Sequence, residues 1–174
     1  MNGKFNRMCF MGKILHENSE KILKCNVEIL FGNLSDAIKK YVDDGEWMGE
    51  LKYINAYLSA TIHAIVCYID KLIEVGRMQE TETVQALKYV NNLQKHNPNF
   101  VSITKRTGGF VFPISFPFSC EMYDVVWSEC IGLKTKKPQQ KESYEKLFQD
   151  KKILDILDVI VKKILNDSID KNLD

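Results

Sequence analysis

A short polar stretch in the middle of the chain carries the residue types that proton-transfer chemistry needs. The segment KYVNNLQKHNPNF contains Asn91, Asn92 and His96 just before an Asn-Pro stop. Histidine exchanges protons near neutral pH, and an asparagine amide both donates and accepts hydrogen bonds. The segment therefore has two interpretations: part of a catalytic site, or an ordinary helix end where His96 meets the negative end of the helix dipole.

This segment ends the third of four predicted helices. The helix is predicted from Glu82 to about His96, with Thr81 as its N-terminal cap and Pro98 as its stop. Its apolar face recurs at steps of three and four residues: Val84, Leu87, Val90 and Leu93. That narrow face leaves Asn91 and Asn92 beside it.

Two longer helices precede it. The first is predicted to begin near Ser19, with a kink or break at Gly32 and Asn33. The second is predicted from about Gly49 to Val75, with Gly76 as its stop. The apolar surface of the second helix is wide, which indicates that other elements cover it on more than one side.

His63 lies inside the apolar run ATIHAIVC of the second helix. A histidine in such a run is predicted to be a core or interhelical residue rather than a catalyst. Asp36, Asp70 and Tyr123 are the candidate hydrogen-bond partners, and the sequence does not choose between them.

The pattern changes after Pro98, where FVSITKRTGGFVFPISFPF alternates aromatic residues with smaller ones. Such alternation, with turn chemistry at RTGG, predicts a β-hairpin or an extended segment. KTKKPQQKES is predicted as a loop, and a final helix from about Tyr144 has a possible break at QDKK. The predicted fold is mainly α: one domain over residues 1–174, built as a four-helix antiparallel bundle with an inserted β-hairpin or extended aromatic segment between helices 3 and 4.

The aromatic segment has three interpretations. It closes the open end of the bundle, or it stacks on RNA bases. Alternatively, it forms a dimer or partner surface, because a row of exposed aromatic residues is unusual on a monomer. The surface interpretation uses Phe110, Phe112, Phe116 and Trp127.

Composition limits the function classes. The 24 Lys and Arg residues nearly balance the 23 Asp and Glu residues, so the net charge of +1 gives no global attraction for a polyanion. Five cysteines without a CxxC pair indicate reduced thiols in a cytoplasmic protein. The chain shows no signal-peptide core, no apolar run that predicts a membrane span, and no motif for a metal or cofactor.

The bundle, its size and the segment NNLQKH resemble the HEPN superfamily, α-helical domains named for higher eukaryotes and prokaryotes nucleotide-binding proteins. In catalytic members an arginine is followed by a polar residue and, a few residues later, by a histidine. Asn92 matches the polar position and His96 matches the histidine, whereas Asn91 occupies the arginine position. We assign these three residues as the candidate catalytic set.

The resemblance implies a metal-independent endoribonuclease, or a degenerate relative, in a defence or toxin-antitoxin type system. Family members pair two copies of the motif in a homodimer cleft, and RNA or a nucleotide is the implied ligand. Replacing the arginine removes a fixed cation from the phosphate site, which leaves catalysis open. The competing class is a non-catalytic helical interaction module in which the aromatic segment binds a protein partner.

Overall fold

The protein is mainly helical. The computed structural model describes the backbone of residues 3–44, 48–94, 101–110, 118–129 and 136–166, and the side chains of residues 19–42, 51–94, 123–129 and 136–166. These ranges form five helices and two strands. In chain order they are α1 Gly3–Asp44, α2 Met48–Glu74, α3 Glu82–Leu93, β1 Val101–Phe110, β2 Phe118–Trp127, α4 Pro138–Leu147 and α5 Ile153–Asn166.

Helices α1 and α2 pack against each other through apolar stripes. The buried residues of these stripes are Val27, Leu34, Ile38 and Tyr41 on α1, and Ile54, Leu58, Ile62, Ile65, Ile69 and Leu72 on α2. Three further α2 residues are also buried: Ala64, Val66 and Tyr68. The prediction that α2 is covered on more than one side is therefore confirmed.

Two expectations for α1 are wrong. The helix begins at Gly3 rather than near Ser19, and it continues through Gly32 and Asn33 without a break. A single glycine inside a helix costs only about 1 kcal/mol relative to alanine. The buried residues on both sides of Gly32, Val27 and Leu34, pack in the core and offset that cost.

The segment Leu51–Glu74 of α2 is, within the described residues, the one helix long and apolar enough to cross a membrane by length and composition. Half of its most apolar window is buried inside the fold. The core helix of a soluble protein has the same property, because its apolar residues are covered by other helices.

The connection between α2 and α3 follows the predicted stop and cap. Gly76 has a φ of 71°, the left-handed conformation that commonly ends a helix. The Thr81 hydroxyl accepts a hydrogen bond from the Val84 backbone N–H at 3.4 Å. The four predicted apolar residues of α3 are buried, and so are Ala86 and Tyr89, so its buried face is wider than the sequence predicts.

Strands β1 and β2 form an antiparallel hairpin between α3 and α4, with Val101 opposite Trp127 and Phe110 opposite Phe118. The sequence predicts a hairpin here, but the predicted turn at RTGG is wrong, because these residues lie within β1 and pair with β2. Residues 111–117, which include Phe112 and Phe116, lie outside the described residues. Trp127 is fully buried, with its ring centroid 5.2 Å from that of Phe148. The interpretation that places Trp127 on an exposed partner surface is therefore wrong.

The C-terminal helix is divided at the predicted break, because α4 ends at Leu147 and α5 begins at Ile153. Between them Asp150 adopts a φ of 61°, and its backbone N–H donates to the Trp127 carbonyl at 3.0 Å. The loop expected over KTKKPQQKES is partly wrong, because α4 begins at Pro138. Proline suits the first helical turn, since its fixed φ is already helical and its missing N–H has no partner there.

Candidate functional site

The candidate site lies where α2 and α3 contact each other; we call it the α2–α3 interface. Helix α2 contributes His63, Cys67 and Asp70, whose spacing of four and three residues places them on one helical face. His63 and Asp70 are exposed and Cys67 is half-buried, so this face borders the core without entering it.

Helix α3 contributes Lys88 and Asn91, which are one turn apart and both half-buried. Asn92 is exposed, because the next residue on a helix is rotated by about 100°. The structure therefore brings Asn91 to the interface and leaves Asn92 on the solvent side of α3.

His63 is held through both ring nitrogens. Its Nδ1 lies 3.4 Å from Asn91 Oδ1, and its Nε2 lies 3.6 Å from Cys67 Sγ. An amide oxygen only accepts hydrogen bonds, so the contact with Asn91 assigns the donating proton to Nδ1. In the neutral ring Nε2 is then the basic nitrogen, and it accepts the Cys67 S–H.

Gln94 fixes the orientation of the Asn91 amide. The Gln94 side-chain nitrogen donates to Asn91 Oδ1 at 2.7 Å, so that oxygen accepts from two donors on different elements. Turning the amide around would place an N–H against both donors. Gln94 therefore orients the Asn91 amide, and Asn91 in turn orients the His63 imidazole.

Lys88 is the cation of the interface, and its charge is already compensated. Its Nζ lies 3.1 Å from Asp70 and 3.4 Å from Glu80. Burial lowers the pKa of Lys88, but the hydrogen bonds and charges of Asp70 and Glu80 outweigh it, so the pKa is raised overall. Lys88 therefore stays protonated, and a phosphate must compete with two carboxylates for it.

Cys67 is a protonated thiol at neutral pH. Burial raises the pKa of Cys67, and the nearby charge of Asp70 raises it further. A thiolate is the reactive form of cysteine, so these two effects oppose a role as a preformed nucleophile. The arrangement instead favours a thiol that donates to His63 until another proton donor replaces it.

The structure describes two of the three predicted catalytic residues. Asn91 lies at the interface, Asn92 is exposed, and His96 lies outside the described residues. His63 is an interhelical residue as expected, but it is exposed rather than in the core, and its partners are Asn91 and Cys67 rather than Asp36, Asp70 or Tyr123. The four-residue spacing of His63 and Cys67 is the sequence signal that could have identified this pair.

Among the residues described with side chains, no group of three His, Cys, Asp or Glu residues is arranged to hold a metal ion. What the interface does supply is a solvent-accessible, oriented imidazole. Comparisons with known protein families, with curated proteins and with solved structures find no match for this chain.

Proposed function

We propose that this chain is a HEPN-like cytoplasmic protein of a defence or toxin-antitoxin type system. In this proposal the α2–α3 interface is part of a metal-independent endoribonuclease site. The observation that carries it is the contact of His63 Nδ1 with Asn91 Oδ1. Asn91 occupies the position of the motif arginine, and through this contact it orients His63 as a general base. The four-helix bundle is part of the proposal, with α4 and α5 as its divided fourth helix.

The chemistry is a transesterification within RNA. His63 Nε2 accepts the proton of a ribose 2′-hydroxyl, and the 2′-oxygen attacks the adjacent phosphorus. The bond from phosphorus to the 5′-oxygen breaks, and a protonated group must return a proton to that leaving oxygen. His96 is the candidate for this second step. The products are a 2′,3′-cyclic phosphate and a 5′-hydroxyl.

Two features of the interface limit the rate. The Cys67 S–H occupies Nε2 of His63 and must be displaced before the base can act. Lys88, one turn from Asn91, is the cation that could stabilise the phosphorane charge, but it binds Asp70 and Glu80 first. We therefore expect slow cleavage compared with family members that keep the arginine.

The test uses purified full-length protein and a labelled single-stranded RNA, incubated with EDTA between about pH 6 and 8, where histidine titrates. We expect a cyclic-phosphate product and no cleavage of the DNA analogue, which lacks the 2′-hydroxyl. His63→Gln should reduce the rate by about 10²- to 10⁴-fold, the usual contribution of a general base. His16→Gln is the matched control.

The His96→Ala variant tests the residue outside the described ranges. It should abolish cleavage and leave the melting temperature close to that of the wild type, so that the loss of activity is not a loss of fold. If RNA stays intact throughout, or if both histidine variants cut at the wild-type rate, the proposal fails. The alternative of a non-catalytic protein-interaction module then takes its place.

The homodimer belongs to the same proposal, since the resemblance implies a shared cleft. Sedimentation equilibrium should give twice the mass of 20.1 kDa at micromolar concentration. A monomer at high concentration argues against the cleft even if cleavage is observed. The free thiols of Cys25 and Cys67 suit a reducing compartment, which supports the cytoplasmic assignment.

A further inference from the structure

A cavity of about 220 Å³ lies where the C-terminal part of α1, the end of β2 and the start of α5 meet. We call it the junction pocket. A liquid water molecule takes about 30 Å³ and drug-sized ligands need about 300 to 1,000 Å³, so the pocket suits a small molecule. Its lining is Ile38, Lys39, Val42, Asp124, Val125, Lys152, Leu154 and Asp155.

Backbone contacts build one wall of the pocket. The Trp127 N–H donates to the Lys151 carbonyl at 3.0 Å, and Val126 forms a bridge with Lys152. These contacts bring the start of α5 against β2 and place Lys152 Nζ 3.0 Å from Asp124. Asp124 is only 9% exposed, and the pairing with Lys152 offsets part of the cost of burying its carboxylate.

The rest of the lining combines apolar surface with two opposite charges. Ile38 and Val125 are buried, and Val42 and Leu154 are half-buried. Lys39 and Asp155 are exposed, and neither has an ion-pair partner within the described part of the chain. The pocket therefore offers one cation and one anion that a ligand can use without breaking an existing ion pair.

This charge pattern selects among ligands. The two lysines and two aspartates sum to zero, which disfavours a multiply charged anion such as a phosphate ester. A small zwitterion matches both free charges and places its apolar part on the aliphatic lining. We propose that the junction pocket binds an α-amino acid with a compact apolar side chain, its carboxylate at Lys39 and its ammonium at Asp155.

Titration calorimetry on the full-length protein tests this with L-leucine, L-valine and L-methionine as probes. Leucinamide lacks the carboxylate and N-acetyl-leucine lacks the ammonium, so each should bind about threefold to tenfold more weakly than leucine. The readout is binding, so it does not depend on RNA cleavage or on the proposed function.

Two variants test which pocket residue binds each charged group of the ligand. Lys39→Gln should weaken leucine while leaving leucinamide unchanged, and Asp155→Asn should weaken leucine while leaving N-acetyl-leucine unchanged. Lys163→Gln and Asp36→Asn, at exposed positions outside the pocket, are the matched controls and should not change binding. Unchanged melting temperatures establish that the variants are folded.

The proposal is overturned if no apolar amino acid binds, or if N-acetyl-leucine and leucinamide bind as well as leucine. It is also overturned if the pocket variants behave like their controls. Binding of inorganic phosphate as tight as that of leucine would identify an anion site and would likewise overturn it.

Discussion

The α2–α3 interface and the junction pocket both combine lysine and aspartate, but they use their charges differently. At the interface Lys88 already contacts two carboxylates, and Asn91 Oδ1 already accepts from two donors. In the pocket Lys152 and Asp124 form one pair, whereas Lys39 and Asp155 have no such partner within the described residues. Polar groups that already have partners orient a side chain, and charged groups without such partners are available for a ligand.

This difference separates proton transfer from binding. The interface holds one imidazole in one tautomer, which is what a general base requires. Lys88 is poorly suited to attract a polyanion, because Asp70 and Glu80 already compensate its charge. The pocket lining includes no histidine or cysteine among the described residues, but it has space, and Lys39 and Asp155 have no ion-pair partner within those residues. The two regions are therefore suited to different tasks.

The largest predicted difference in unfolding free energy is between variants of Lys152 and Lys88. Lys152→Met removes the cation facing Asp124, whose side chain is 12% exposed, and should cost about 1 to 3 kcal/mol, as for a buried group that loses a partner. Lys88→Met faces the Asp70 side chain, which is 54% exposed, and should cost less than about 1 kcal/mol. Methionine keeps most of the apolar stem.

Urea unfolding of both variants measures these costs, provided that the slopes of the transitions remain equal. Equal losses for Lys152→Met and Lys88→Met would remove the distinction between an ion pair with a buried carboxylate and one with an exposed carboxylate. A larger loss for Lys88→Met would reverse it.

The thiols give a second, smaller contrast. Cys25 is exposed, whereas Cys67 is half-buried with a pKa raised by burial and by Asp70, so iodoacetamide at pH 8 should modify Cys67 several-fold more slowly. Peptide mass spectrometry resolves the two sites, and the rates should become equal in urea. Asp70→Asn should accelerate modification of Cys67 while leaving Cys25 unchanged. Equal rates in the folded protein would mean that the interface does not control this thiol.

Much of the fold follows from local patterns. Thr81, Gly76 and the stripes of α2 and α3 specify their own elements, because capping, left-handed φ and apolar periodicity act over one or two turns. The start of α4 at Pro138 is not predicted, because its polar first turn PQQK follows a lysine-rich stretch and resembles a loop. Its one distinguishing feature is the proline at the first helical position.

The candidate sites depend on contacts distant in sequence. The pairing of His63 with Asn91 requires the relative rotation of α2 and α3, which no local pattern specifies. The junction pocket requires α1, β2 and α5 to meet, and its Lys152–Asp124 pair forms only because the turn at Asp150 returns the chain to Trp127. Asn91 can be identified from its neighbours in the chain, whereas its contact with His63 depends on helix packing and cannot.

The smallest predicted effect concerns the pH dependence of the interface. The pKa of Lys88 is raised in the folded protein, because Asp70 and Glu80 outweigh its burial. A raised lysine pKa contributes stability that is fully present below the unfolded value of about 10.4 and is lost as the pH rises through the folded value. The difference in unfolding free energy between wild type and Lys88→Met should therefore be constant from about pH 7 to 9. It should shrink above about pH 10.4, by less than about 1 kcal/mol in total.

Lys163→Met is the matched control, because Lys163 has no ion-pair partner within the described residues, and its difference from wild type should not follow this course. A difference that grows with pH would contradict the ion pairs of Lys88, and with them the compensated cation that separates the α2–α3 interface from the junction pocket.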